Sequence, residues 1–169
     1  MKNTLAARGL AAFIALSGMI GAPMTMHSEG MELAPYYDGV GVRTWCAGET
    51  EVGGDKDSYT YEECGLLFHM RYGYYSMRVA AMYNDVAKKV VTPEIHAAFT
   101  DMAYNVGLGA VGSSSMMRHI NASRPTQACN AILLYKYAGG HDCSAPGNKV
   151  CAGVWGRRLE MNKLCLSGI

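Results

Sequence analysis

The chain has 169 residues and a formal net charge of +1, with 15 Lys and Arg against 14 Asp and Glu. That length suits one domain with a core of its own. The balanced charge, with no basic patch and no RNA-binding aromatic motif, argues against nucleic acid as a partner.

Residues 1–28 carry Lys2 and Arg8 and no carboxylate. Gly9 to Met26, GLAAFIALSGMIGAPMTM, holds no charged residue. As a helix it would span about 27 Å, close to the thickness of a bilayer's hydrocarbon core. Basic residues on its N-terminal side keep that end in the cytoplasm and send the rest outward. Three fates are open: a retained but releasable anchor, a cleaved signal and a permanent anchor. Pro23 directly after Ala22 disfavours cleavage there, with Ala15 and Ser17 a weaker alternative. The glycines, alanines, Ser17 and Thr25 make a span only mildly apolar, so the sequence favours the releasable anchor. This divides the chain into an anchor at 1–27 and a domain at 28–169.

Residues 36–54 read as a hairpin region. Asp38-Gly39 is a turn signal, and Val40, Val42, Thr44 and Cys46 alternate as on one face of a strand. Gly48 and Gly53-Gly54 mark further turns, and no other stretch reads as convincingly β. Thr60-Tyr61-Glu62-Glu63 is a capping box. It opens a long helix reaching about Val86, with Leu67, Met70, Tyr74, Met77 and Ala81 as its apolar stripe; such a helix could join two lobes. Thr92-Pro93 opens another helix, with Ile95, Phe99, Met102 and Val106 as its stripe. A Gly- and Ser-rich turn, 107–115, leads into Met116–Ile120. Further helices are expected over Pro125–Tyr137, ended by Gly139-Gly140, and over Val154–Leu164. A small part with a hairpin and a larger helical part make an α+β pattern.

Cysteines 46, 64, 129, 143, 151 and 165 are even in number, which in an exported protein reads as up to three disulfides with 15 possible pairings. Cys143 and Cys151 bracket a Pro-Gly turn, and their seven-residue spacer can close a hairpin. A His141/Cys143/Cys151 metal site is the rival, and it lacks a fourth ligand nearby. Histidines 27, 69, 96 and 119 show no ligand spacing, so neither metal nor cofactor is expected.

Eight residues separate Glu29 from Asp38, and five separate Asp38 from Thr44. Glycoside hydrolysis needs an acid to protonate the leaving oxygen and a second carboxylate to direct water or attack. Glu29 lies at the end of the expected apolar helix, with Gly30 as its stop. The negative pole of the helix there disfavours the carboxylate and suits a proton donor. Asp38 in a solvated turn stays ionised, and Thr44 can hold a water beside it. Alone, this spacing is common among surface acids.

The surrounding text makes it specific. SEGMELAPYYDGVGVRTWCAGET resembles the catalytic stretch of phage-type lysozymes, the glycoside hydrolase family of T-even and lambdoid phage endolysins, through Glu29, Gly30, Leu33, Tyr36, Asp38, Gly41, Thr44, Cys46 and Gly48. Downstream, Tyr61–Cys64, Ala103–Ala110, Ser114–Arg118, Tyr137–Gly140, Gly153, Arg157-Arg158 and Cys165 resemble further family motifs in the family's order, from about residue 28 to 169. The resemblance implies a lysozyme-like α+β fold with a small N-terminal lobe and a larger helical lobe. It implies an endolysin cleaving the β-1,4 bond between N-acetylmuramic acid and N-acetylglucosamine in peptidoglycan. Glu29 would be the proton donor, and Asp38 with Thr44 would position the water, with net inversion. Thr50, Tyr104, Asn105, Ser115 and Asn130 match positions that would bind substrate in a cleft between the lobes. Family-like positions suggest Cys46–Cys64 and Cys129–Cys165. Many relatives carry His where this chain has Glu49, a departure that unsettles the usual ion pairing there.

The anchor implies a second level of control, similar to the signal-anchor-release endolysins of lambdoid phages. Held at the inner membrane facing the periplasm, the chain cannot complete its N-terminal lobe; released, it folds and the cleft forms. No cysteine precedes Cys46, so release would proceed without thiol isomerisation, with collapse of the membrane potential as trigger, and yield a monomer. The rivals are a non-catalytic, membrane-tethered cell-wall binding protein and a lytic transglycosylase; Asp38 and Thr44 beside Glu29 count against both.

Overall fold

The computed structural model describes residues 4–38, 41–50 and 54–169. Gly39, Val40 and Gly53 of the expected hairpin region lie outside the described residues.

A short helix, α1 (Leu5–Arg8), precedes the long α2 (Leu10–Glu29). Strands β1 (Glu32–Tyr37) and β2 (Arg43–Cys46) form an antiparallel pair, with a bulge between Glu32 and Tyr36. Helix α3 (Tyr61–Ala80) leads through a short 3-10 turn to α4 (Pro93–Val106). Then follow α5 (Leu108–Gly112), α6 (Ser115–Asn121), α7 (Pro125–Asn130), the two-residue strands β3 (Tyr137–Ala138) and β4 (His141–Asp142), and α8 (Ala152–Ser167).

Local chemistry explains the main boundaries. Thr60 Oγ1 accepts from the Glu63 N–H while Glu63 Oε2 accepts from the Thr60 N–H, so the capping box forms in full. Thr92 caps α4, with Pro93 in its first turn. Ser114 caps α6. Gly30 ends α2 with φ +75°, a conformation that favours glycine.

Helix α4 is the centre of the core. Every residue from Pro93 to Ala103 is buried apart from Glu94, and α2, α3 and α8 flank it. Ile95, Phe99 and Met102 fill the core as their spacing predicts, joined by Val79, Met116, Ile120 and Met161. Inside it lies a fully buried His96, hydrogen-bonded to Ser76 Oγ at 2.9 Å and Tyr83 Oη at 3.0 Å, with the Phe13 ring 5.2 Å away. Burial holds this imidazole down to about 3, so it stays neutral.

Helix α2 is long and apolar enough to cross a membrane, yet here it lies on the body. Phe13, Ser17, Gly21 and Thr25 are buried at steps of four residues, one face of the helix. Gly21 marks the closest approach: a Cβ there would sit 2.8 Å from Ala97 Cβ and overlap the Tyr72 hydroxyl. Ser17 and Thr25 donate to the carbonyls of Phe13 and Gly21, so the buried stripe satisfies its own hydroxyls. The opposite face, including Leu10 and Met19, stays in solvent, with Met19 71 % exposed. The residues before α2 also dock. Leu5 is buried in the main core, and its N–H donates to the Val91 carbonyl.

Several expectations are corrected. The stripe Met70, Tyr74 and Met77 of α3 faces solvent, while Cys64, Phe68, Tyr72, Ser76, Val79 and Ala80 are buried. Both faces are apolar, and contact with α2 and α4 selects the second. The helix stops at Ala80 rather than Val86. Thr44, Trp45 and Cys46 are all buried, so β2 does not alternate; it sits between β1 and α3. The Gly- and Ser-rich stretch contains α5, and the helix expected over Pro125–Tyr137 breaks at Asn130 into a 3-10 turn. Strands β3 and β4 are a second, minimal β pair.

Disulfides join Cys46 to Cys64, Cys129 to Cys165 and Cys143 to Cys151. The first ties β2 to α3 and the second ties α7 to α8. The third closes the loop before α8, so neither of its sulfurs is a thiolate ligand for a metal.

Candidate active site

Glu29 is the last residue of α2, on the same face as Phe13, Ser17, Gly21 and Thr25. Its Oε1 lies 2.7 Å from Arg157 Nη1 of α8, a charge contact not aligned as a hydrogen bond. Arg157 also forks onto Asp101 of α4, with Nη2 2.8 Å from Oδ1 and Nε 3.3 Å from Oδ2. Burial opposes the charge of Arg157, but Asp101 and then Glu29 outweigh it and raise its pKa. Asp101 is fully buried, so Arg157 is the cation that makes its burial tolerable. Neighbouring Arg158, its pKa lowered by burial and then by the charge of Arg157, donates to the Tyr135 carbonyl and to Asn105 Oδ1. The two arginines thus bind three segments of the helical lobe around the end of α2.

Asp38 and Thr44 stand at the turn end of the β1–β2 pair and are linked through Val42. The Val42 N–H donates to Asp38 Oδ1 at 2.9 Å, and Thr44 Oγ1 donates to the Val42 carbonyl at 3.0 Å. Thr44 is buried, and Asp38 is half-buried. With its proton committed to Val42, the Thr44 oxygen can accept from a water that also donates to Asp38.

Tyr104 connects the two halves. Its hydroxyl donates to the Ala47 carbonyl at 2.8 Å. Burial, and then the charge of Glu29, push its phenol far above the ordinary range, which keeps it neutral. The Thr50 N–H donates to Glu49 Oε1. Glu49, the departure noted in the sequence, is buried and faces Arg71 of α3 at 3.9 Å. The acid therefore has a basic partner on the neighbouring helix.

Two grooves open in this region. One, of about 460 Å³, is bounded by His27, Ser28, Asn105, Arg157 and Glu160. The other, of about 510 Å³, lies between Glu49, α3 and Leu108. Asn105 lines the first groove, while Tyr104 and Thr50 adjoin the second through Tyr75 and Glu49. Ser115 and Asn130 line neither. Ser115 begins α6, and Asn130 Oδ1 accepts from Asn162 at the end of α7. Asp101, Arg157, Arg158 and Arg71 carry the ion-pair framework and had no assigned role from sequence. The signals were the Arg157-Arg158 motif, which carried no role, and Asp101, an acid amid the apolar residues of α4.

A model of the phage lysozyme family matches residues 26–160. The chain is 32% identical over 145 residues to the SAR-endolysin of Enterobacteria phage P21, covering 83% of this chain and 78% of that protein. It is likewise 32% identical to the SAR-endolysin of Bacteriophage PS119, covering 83% of this chain and 77% of that protein. A crystal structure of a P22 lysozyme mutant superposes with a TM-score of 0.71 at 22% identity, covering 87% of this chain and 95% of that one. The active form of the P1 phage endolysin Lyz gives 0.65 at 19% identity, covering 94% and 93%. The fold is lysozyme-like and α+β, and the chain belongs to the phage lysozyme family.

Proposed function

We propose that the protein is an endolysin that hydrolyses the β-1,4 bond between N-acetylmuramic acid and N-acetylglucosamine in peptidoglycan, with Glu29, Asp38 and Thr44 as its catalytic residues. The observation that carries this is Glu29 held at the end of α2 by Arg157, which lines the groove bounded by His27, Ser28 and Asn105. Glu29 protonates the glycosidic oxygen as the bond breaks. Asp38 accepts a proton from a water held against Thr44, and that water attacks the opposite face of the sugar, inverting the configuration. Arg157 positions Glu29, and Tyr104 and Asn105 contact the strand from the helical lobe. Purified wild type should clear peptidoglycan and Glu29→Gln should not. Mass spectrometry should find products heavier by one water rather than 1,6-anhydro sugars. Equal clearing by both proteins would overturn the assignment.

The protein acts in the periplasm as a monomer after residues 1–27 leave the inner membrane intact. Support comes from α2, which has the length and apolarity of a span yet docks through Phe13, Ser17, Gly21 and Thr25. Docking of Leu5 requires the segment before the span to cross as well, carrying Arg8 and Lys2. A potential negative inside holds these two cations back by about 5 kcal/mol per 100 mV, so its collapse favours release. No cysteine precedes Cys46, so the switch needs no disulfide exchange.

A further inference from the structure

The groove beside Glu49, of about 510 Å³, is lined by side chains that the proposed cleavage step does not use. On its α3 side it presents Met70, Arg71, Tyr74 and Tyr75; across from them stand Glu49 and Leu108. Met70 is 67 % exposed and Tyr74 48 % exposed, so neither is there for the core. The rings form a series. Tyr74 meets Tyr75 edge to face at 5.7 Å, Tyr75 meets Tyr104 at 5.2 Å, and Tyr104 is the ring that feels the charge of Glu29. An aromatic track therefore leads from the solvent face of α3 toward the bond-breaking end of the cleft.

We propose that this groove is an outlying saccharide subsite, in which an N-acetylhexosamine unit of the same glycan strand rests on Tyr74 and Met70 while Arg71 and Glu49 engage its acetamide. This rests on the glycosidase assignment above. A pyranose ring has an apolar C–H face that suits a tyrosine or a thioether. Its acetamide offers one N–H and one carbonyl, matching the carboxylate of Glu49 and the guanidinium of Arg71. Continuity with the cleft is the reason to choose a glycan strand over a lipid surface. The groove ends at Tyr75 and Glu49, which touch Tyr104 and Thr50. The subsite acts through binding alone, so it raises affinity for long strands without changing the chemical step.

The test uses soluble, uncross-linked glycan strands sorted by length and the purified full chain. Tyr74→Ala and Met70→Ala should each raise KM about fivefold on long strands, with kcat unchanged and the shortest cleavable strands unaffected. Leu66→Ala, on the exposed face of α3 outside the groove, should match wild type on all lengths. Wild-type kinetics for Tyr74→Ala and Met70→Ala at every length would overturn the subsite. So would an unchanged KM combined with weakened binding of Tyr74→Ala and Leu66→Ala alike to anionic vesicles, which would identify a lipid-facing stripe. Activity retained by Glu29→Gln would instead overturn the underlying assignment, so the two failures are distinguishable.

Discussion

Two glycines of α2 receive the same methyl group with opposite consequences. A Cβ added at Gly18 meets nothing within 4 Å, whereas at Gly21 that carbon falls 2.8 Å from Ala97 Cβ and 3.3 Å from Ala97 Cα. Ordinary contact begins near 3.4 Å, so α2 and α4 would have to part by about 0.6 Å, and overpacking of this kind costs about 1–3 kcal/mol. Both substitutions gain about 1 kcal/mol of helix propensity, and both make the anchor more apolar by one methyl. Gly18→Ala should therefore be neutral or stabilising, and Gly21→Ala should be less stable than Gly18→Ala by about 1–3 kcal/mol in urea unfolding of the purified enzyme. Glu29 ends the same face eight residues later, so the displacement reaches the Arg157 pair, and turnover should fall roughly tenfold. Membrane insertion before release should be the same for both. If Gly21→Ala equals Gly18→Ala in stability and turnover, α2 does not dock through the Gly21 notch.

Two further predictions concern the same helix and the core it covers. His96 titrates near 3 in the folded protein and near 6.5 when unfolded, so the unfolded chain binds the extra proton between these values. Stability is then complete above pH 6.5 and falls as the pH drops, by about 2 kcal/mol between pH 7 and pH 5; urea melts of His96→Gln should lack this component, and an unchanged slope would refute it. Pro23 brings no N–H to the Met19 carbonyl, which water reaches beside exposed Met19 but lipid cannot satisfy. Pro23→Ala should leave purified activity unchanged and retain more protein in the membrane fraction after depolarisation; identical release would show that proline does not weaken the span.

Much of the fold was legible because its signals are local. The Thr60–Glu63 box, the Thr92-Pro93 start and the Gly30 stop each depend on residues within one turn. The α4 stripe was legible because its opposite face is rich in alanines, leaving Ile95, Phe99 and Met102 as the large apolar groups. Helix α3 offers two apolar faces, and periodicity cannot say which one the body covers. The position of Glu29 followed from the apolar run and its stop. Its partner Arg157 did not, because α8 reaches α2 only through tertiary packing around α4. Pairing of Glu49 with Arg71 was hidden for the same reason.

The hydrophobicity that would suit α2 to a membrane differs from the pattern that docks it. Its buried stripe carries one large apolar residue, Phe13, followed by Ser17, Gly21 and Thr25, while Leu10 and Met19 remain in water. A soluble core helix would bury the larger residues, each worth about 1.5–3 kcal/mol. Here they favour lipid, and the small stripe favours the protein through shape. The hydroxyls bond to their own helix, so little polar satisfaction is gained or lost on transfer between the two settings. The balance therefore rests on whether the stripe finds its notch, and an undocked helix drifts back toward lipid. Glu29 is the next member of that stripe after Thr25. If the protein is released as proposed, release and assembly of the acid site are one equilibrium: the contact that docks α2 on the body is also the one that sets Glu29 against Arg157.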